Sequence, residues 1–254
     1  MFTTLLVGEA RALLVDTGTG IGDLAAAVRE ITELPLTVVN THGHIDHSGG
    51  NYQFDAVYLH PDDFHLIREW SKREEKDHVV KLDPDHIPEN FDAGGFYDYC
   101  GGNLRALEPD TVFDLGGLHV DVIPFQTHTR GSVGFLCRER KLLLTGDCIS
   151  PVVYLVFPDS ATVSEHIAML ESMRKLPFSV MLSSHCEQLL GKERIEFFLR
   201  CAKELDPEKT IRFRNPFFPQ YRERMFVYED PDDSERYAAL VYAKDKLDTG
   251  GNKC

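Results

Sequence analysis

The chain has 254 residues, of which 43% are hydrophobic and 27% charged, and its formal net charge is −14 at pH 7. These values are typical of one globular enzyme domain, and the acidic balance disfavours nucleic acid and anionic membranes as partners. The first residues lack a basic start with a long apolar core, and no stretch approaches the roughly 18 apolar residues of a membrane-spanning helix. We therefore expect a cytoplasmic protein.

The first half of the chain predicts alternating strands and helices from its apolar periodicity and turn residues. In chain order, we expect a hairpin over residues 5–18 and a helix over 21–34. Two strands follow over 36–40 and 56–59, separated by a histidine-rich loop, and a helix that starts with proline and acids follows over 61–80. Residues 83–109 mix proline, glycine, aspartate and aromatic residues without periodicity, which predicts a long loop or a lid.

The second half repeats this alternation. We expect two strands joined by a Gly-Gly turn over residues 111–115 and 118–123, and two more strands over 133–137 and 141–144. A helix over 164–176, a strand over 180–184 and a helix over 192–205 follow. Strands with flanking helices in both halves imply two mixed sheets covered on their outer faces. Further strands are predicted at 225–228 and 238–242. We therefore expect a domain over residues 1–205 and an extension over 206–254 that packs on it.

Chemistry is concentrated in the run from Thr41 to His47, which follows the predicted strand over 36–40. It places three imidazoles and a carboxylate in six consecutive positions, at His42, His44, Asp46 and His47. Neutral imidazole is a common ligand of zinc and iron, and a carboxylate adds the charge that a dication needs. Mixed His and Asp ligation favours zinc, iron or manganese over calcium or magnesium.

Three strand ends in the second half supply further ligand types. His128, Asp147 and His185 each follow a predicted strand. One such residue alone is equally consistent with a satisfied polar side chain or a helix cap. Taken with the histidine-rich loop, the three residues provide the ligands that a single loop lacks.

In its ordered motifs, the chain resembles the metallo-β-lactamase-fold hydrolases, from about Leu5 to Leu205. The motifs are Asp16-Thr17-Gly18, the His-x-His-x-Asp-His run, His128 with Gly131-Ser132, Gly146-Asp147, and His185. The resemblance implies an α/β fold, specifically a four-layer αββα sandwich. It also implies that His42, His44 and His128 hold one metal ion, that Asp46, His47 and His185 hold a second, and that Asp147 bridges both.

The same resemblance implies hydrolysis by a hydroxide that bridges two divalent transition-metal ions, with zinc favoured and iron or manganese as alternatives. Asp46 would orient that hydroxide and is the predicted catalytic residue. Asp16 and Ser132 would support the ligands, although Asp16 is equally suited to stabilising a turn. Tyr154, seven residues after Asp147, resembles a substrate-facing tyrosine of related lactonases, with a core aromatic as the alternative.

A small carboxylic ester, thioester or lactone is the favoured substrate of this glyoxalase II-like or lactonase-like branch, because all seven ligands are present. The alternatives are a small-molecule phosphodiesterase, and a mononuclear non-haem iron oxygenase resembling persulfide dioxygenases. Asp147 argues against a β-lactamase, and a binding protein without activity would gain little from a full ligand set. The aromatic segment over 210–228 predicts either a pocket wall or a homodimer contact. We expect the six cysteines to be reduced, with Cys148 and Cys186 as non-ligands.

Overall fold

A computed structural model describes residues 1–82, 84–215, 223–230 and 233–247. It divides into two compact units. The first unit contains residues 1–124 and 131–140, and the second contains residues 125–130 and those from 141 onward. The predicted boundary at residue 205 stays a prediction.

The first unit contains a five-stranded sheet with the order β1-β2-β3-β4-β5, over Thr4–Val7, Ala12–Val15, Leu36–Val39, Val57–Leu59 and Leu104–Ala106. The predicted hairpin is confirmed, since β1 and β2 pair antiparallel, whereas the remaining neighbours pair in parallel. All four residues of β2 are buried, as is usual for an interior strand next to a parallel neighbour. Leu14, Val38 and Val57 pack with Val28 of the following helix in one core cluster.

Five helices belong to this unit, and they are α1 to α5 over Leu24–Ile31, Ile45–Ser48, Phe64–Trp70, Arg73–Leu82 and Ala93–Asp98. The prediction of one unbroken helix over 61–80 is wrong. A 3-10 turn over Pro61–Asp63 precedes α3, and α3 and α4 are separate helices. Ser71 is the C-cap of α3, and its hydroxyl donates to the carbonyl of Ile67 beside the ordinary helical hydrogen bond from its backbone N–H.

A three-stranded antiparallel group completes the first unit, with β6, β7 and β8 over Val112–Asp114, His119–Pro124 and Val133–Cys137. Gly116 and Gly117 form the predicted turn between β6 and β7, and their positive φ angles of 80° and 75° are favourable only for glycine. The segment 83–109, predicted as a loop or a lid, contains the 3-10 turn Pro84–His86 as well as α5 and β5.

The described residues of the second unit contain strands β9 to β15, over Leu142–Gly146, Val152–Leu155, Val180–Ser183, Leu190–Gly191, Ile211–Phe213, Glu223–Asp230 and Asp233–Ala243. β9 and β11 pair in parallel, and β12 pairs antiparallel with β11. The other four strands form a sheet with the order β10-β15-β14-β13. The sequence analysis predicted parts of β14 and β15 but did not predict β10.

Helices α6 (Val163–Met173) and α7 (Arg194–Lys203) belong to the second unit and confirm both predicted helices. A capping box starts α6, because Thr162 and Glu165 each bond the other's backbone N–H. Helix α7 packs on the four-stranded sheet, where the rings of Phe197 and Tyr228 lie 5.3 Å apart. Short 3-10 turns span Gly49–Gln53, Pro207–Lys209 and Lys244–Lys246. Part of the aromatic segment over 210–228, namely residues 216–222, lies outside the described residues.

Candidate metal centre

The histidine-rich loop lies at the carboxyl end of β3 and leads directly into α2. His42, His44 and His47 are buried, whereas the Asp46 side chain is 34% exposed. Nε2 of His42 lies 3.1 Å from Nδ1 of His44, and Nε2 of His47 lies 3.4 Å from an oxygen of Asp46. The first unit therefore brings together all four ligands predicted on this loop.

Asp16 fixes the orientation of His47. One carboxylate oxygen of Asp16 lies 2.8 Å from Nδ1 of His47, and the other accepts the backbone N–H of Thr41 at 2.7 Å. The φ angle of Asp16 is 64°, a left-handed conformation that a non-glycine residue adopts only when its surroundings hold it there. Since Nδ1 of His47 faces this carboxylate, Nε2 is directed to the side of Asp46.

Small residues after the histidines allow the backbone to approach closely. A Cβ at Gly50 would lie 2.3 Å from the carbonyl oxygen of Thr17, which any side chain would have to displace. A polar chain continues from this contact. Thr17 donates to Asn51, Asn51 donates to Asn40, and Asn40 donates to the carbonyl of His47. These hydrogen bonds were not predicted from the sequence, because an isolated Asn or Thr has no distinctive spacing.

The second unit brings together its own three predicted ligands, His128, Asp147 and His185. One oxygen of Asp147 lies 3.7 Å from Nε2 of His128 and 3.4 Å from Nε2 of His185. Nδ1 of His128 lies 2.9 Å from the backbone carbonyl of Tyr154. In the tautomer that donates this hydrogen bond, Nε2 carries no proton, so its lone pair can ligate a metal ion. Ser160 donates to the carbonyl of His128 and holds the same loop from behind.

The spacing of these donor atoms fits a transition-metal ion. A tetrahedral ion with bonds of about 2.0–2.1 Å to nitrogen has ligand atoms about 3.3 Å apart. The four separations within the two units are 3.1, 3.4, 3.4 and 3.7 Å. Candidate metal-ligand groups of three His and Asp side chains are present in the described part of the chain, and each of the seven predicted ligands belongs to at least one of them.

Tyr154 lies on β10 and is half-buried, with its ring 6.2 Å from that of Phe213. Burial raises the pKa of its hydroxyl, and the nearby carboxylates of Glu223 and Asp147 raise it further. Cys148 is buried and Cys186 is partly buried, and neither belongs to a candidate ligand group of the described residues. None of the five described cysteines forms a disulfide bond, and Cys254 lies outside the described residues.

Two buried carboxylates were not predicted from the sequence, namely Asp63, next to Gly43, and Glu223, near Tyr154. Asp63 was interpreted as one of the acids of a helix first turn, but its side chain bonds the backbone of Gly43. Glu223 is buried, and burial raises its pKa to about 7, partly offset by the backbone N–H of Asn215. An acid inside a charged, aromatic stretch gives no signal of burial, so only the structure identifies Glu223.

Comparison with known families agrees with this geometry. Residues 2–185 match the model of the metallo-beta-lactamase superfamily, and the chain belongs to that superfamily. Its α/β fold is the metallo-β-lactamase fold, as predicted. A metallo-beta-lactamase family protein from Thermus thermophilus, TTHA1429, is similar in structure, with a TM-score of 0.58 and 22% identity over 79% of this chain and 73% of that chain.

Two relatives of known name are similar in sequence. Human acyl-coenzyme A thioesterase MBLAC2 is 25% identical over 185 residues, which cover 68% of this chain and 66% of the human protein. This chain therefore spans just under two thirds of that relative's length. Hydroxyacylglutathione hydrolase GloC of Haemophilus influenzae is 26% identical over 151 residues, covering 56% of this chain and 62% of that protein. Among the described residues, no helix has the length and apolar character needed to cross a membrane.

Proposed function

We propose that the chain is a dinuclear metal-dependent hydrolase that acts on a small carboxylic ester, thioester or lactone. Membership of the superfamily and the names of the two hydrolase relatives support an enzyme of this kind. The observation that carries the proposal is the set of seven His and Asp side chains, in which four pairs of donor atoms lie 3.1, 3.4, 3.4 and 3.7 Å apart, close to the spacing of two ligands on one tetrahedral ion.

In this proposal the ligands divide into two sets. His42, His44 and His128 hold one ion, and Asp46, His47 and His185 hold the second. Asp147 bridges the two ions, and its negative charge reduces their mutual repulsion. This division is the one that the resemblance to the family implies, and each of the seven side chains belongs to a candidate ligand group of the described residues.

When bound, such ions would supply Lewis acidity and lower the pKa of a coordinated water to about 7. The protein residues then position the reactants. Asp46, with one third of its side chain exposed, accepts a hydrogen bond from the attacking water and aligns it. Asp16 holds His47 in the matching orientation through the 2.8 Å contact at Nδ1. Tyr154 contacts the substrate from β10.

The substrate class follows from charge and from the relatives. A chain with a net charge of −14 repels long polyanions such as RNA, whereas a small ester or thioester needs only one carbonyl oxygen at the centre. A relative named as a thioesterase supports a carbonyl substrate with a sulfur leaving group. We further propose zinc as the metal, with iron or manganese as alternatives, a cytoplasmic location, and a homodimer without a nucleic-acid or membrane partner.

A substrate panel tests this proposal. We expect metal-dependent hydrolysis of activated esters, thioesters or lactones, little turnover of β-lactams, and negligible cleavage of RNA. The measurement is kcat/KM for each class at one pH and ionic strength, with chelated protein as the control. Preference for a phosphodiester over every carbonyl substrate would indicate the phosphodiesterase alternative. Oxygen consumption with a persulfide by protein that holds one iron ion would indicate the oxygenase alternative.

A further inference from the structure

Asp63 is a fully buried carboxylate outside the predicted ligand set. It ends the 3-10 turn Pro61–Asp63 and has 0% exposure. Burial of a carboxylate is costly unless hydrogen bonds replace its lost hydration. Its neighbour Asp62 belongs to the same turn, but the Asp62 side chain is 56% exposed. The position of Asp63 therefore requires an explanation that the start of a helix does not provide.

The Asp63 carboxylate joins two segments of the first unit that lie beside predicted ligands in the sequence. One oxygen accepts the backbone N–H of Gly43 at 2.9 Å, and Gly43 stands between His42 and His44. The other oxygen accepts the backbone N–H of Gly131 at 2.8 Å, and Gly131 stands three residues after His128. One side chain thus sets the separation of these two segments.

Both segments approach Asp63 too closely for any residue larger than glycine. A Cβ at Gly131 would lie 2.5 Å from the carboxyl carbon of Asp63, and a Cβ at Gly43 would lie 2.9 Å from its backbone oxygen. Two residues after Gly131, the backbone N–H of Val133 donates to the carbonyl of Thr41 at 2.9 Å. The carboxylate contacts are therefore part of a tightly packed junction.

A carboxylate suits this junction better than its closest neutral analogue. Two backbone N–H groups need two acceptors, and a hydrogen bond to a charged group is stronger than one to a neutral group. Asparagine has one carbonyl oxygen and one NH₂ group, so one of the two backbone donors would face another donor. Asp63→Asn should therefore release one of the two segments while preserving the volume of the side chain.

We propose that Asp63 is a positioning residue for the ion held by His42, His44 and His128, because it fixes the loop of the first two histidines against the segment that follows the third. This inference rests on the ligand division proposed above. Substitution of residues that orient ligands typically weakens metal affinity by about 10- to 100-fold. The effect should fall on this ion and not on the one held by Asp46, His47 and His185.

Zinc affinity, measured by competition with a chromophoric chelator, tests the inference. The variants are Asp63→Asn and the matched control Asp62→Asn, which makes the same chemical change one residue earlier. Each variant is also measured in a His185→Ala background. This change removes a ligand of the other ion, so that the measurement reports the ion held by His42, His44 and His128. We expect Asp63→Asn to lower the zinc affinity of that site by about 10- to 100-fold. The affinity for the other ion, and both affinities of the control variant, should stay within about threefold of wild type.

Circular dichroism of the metal-free protein checks that each variant folds. If Asp63→Asn does not fold, Gly131→Ala replaces it, because the added methyl group presses on the same carboxylate and should weaken the same ion. A folded variant with unchanged zinc affinity, or with both ions weakened equally, overturns the inference. Wild-type protein that binds a single ion contradicts the dinuclear centre instead, and Asp63→Asn is then still expected to weaken an ion held by His42 and His44.

Discussion

At the residue scale, the sequence predicts the candidate ligands and one residue that orients them, Asp16, but it does not predict the role of Asp63. His42, His44, Asp46 and His47 are recognisable because four donor side chains rarely fall in six positions. The role of Asp63 depends on Gly43 and Gly131, which lie 20 and 68 positions away in the chain. A single acidic residue does not reveal contacts at such separations, so its role becomes apparent only in the folded chain.

Asp46 carries the first residue-scale prediction. We expect Asp46→Asn to fold but to lose about 100-fold or more in kcat/KM, because an amide ligates metals weakly and cannot align water as an anion. Cys148→Ser and Cys186→Ser should retain the rate, since neither thiol belongs to a candidate ligand group of the described residues. Steady-state kinetics and metal content of the three variants check this. Metal loss in the cysteine variants with full activity in Asp46→Asn would show that the ligand assignment is wrong.

At the element scale, strand and helix content could be predicted wherever apolar residues repeat over several turns or alternate clearly. β7, α6 and α7 meet this condition and were found. β10 is a run of only four residues, Val152–Leu155, directly after a Ser-Pro pair, and so short an apolar run has no readable period. At the break between α3 and α4, the hydroxyl of Ser71 donates to the carbonyl of Ile67, a local contact that helical periodicity does not encode.

Glu223, the first residue of β14, makes the stability of the protein depend on pH. Burial raises its pKa from 4.5 to about 7, so between these values the folded state binds a proton that the unfolded state releases. Stability should therefore fall as pH rises from about 4.5 to about 7, and it should level off above that range. Glu223→Gln should remove this component, which we expect to amount to about 1–3 kcal/mol.

Urea unfolding of wild type and Glu223→Gln at pH 5 and pH 8 measures this difference. Glu208→Gln is the matched control, because Glu208 is exposed. The free energy of unfolding of Glu223→Gln relative to wild type should be higher at pH 8 than at pH 5, while the control should show no such change. Parallel pH profiles for wild type and Glu223→Gln would contradict a raised pKa at Glu223.

At the scale of the whole molecule, charge and the metal centre are linked. The formal charge of −14 includes the carboxylates of Asp46 and Asp147, and two bound dications would offset part of it. The ordered motifs predicted the family, which the family comparison confirms, whereas the exclusion of long polyanions on charge alone stays a prediction. The size and chemistry of the substrate depend on side chains that line the approach to the centre, and sequence patterns do not specify their arrangement.

The proposed hydrolysis depends on two transition-metal ions with Asp147 between them. Elemental analysis of protein purified without chelator measures this stoichiometry in wild type and in Asp147→Ala. We predict two ions per chain in the wild type, with zinc predominant, and a lower occupancy of at least one ion in the variant, because removal of the carboxylate exposes the repulsion of two close dications. One tightly held iron ion per chain, with unchanged stoichiometry in Asp147→Ala, would contradict the account.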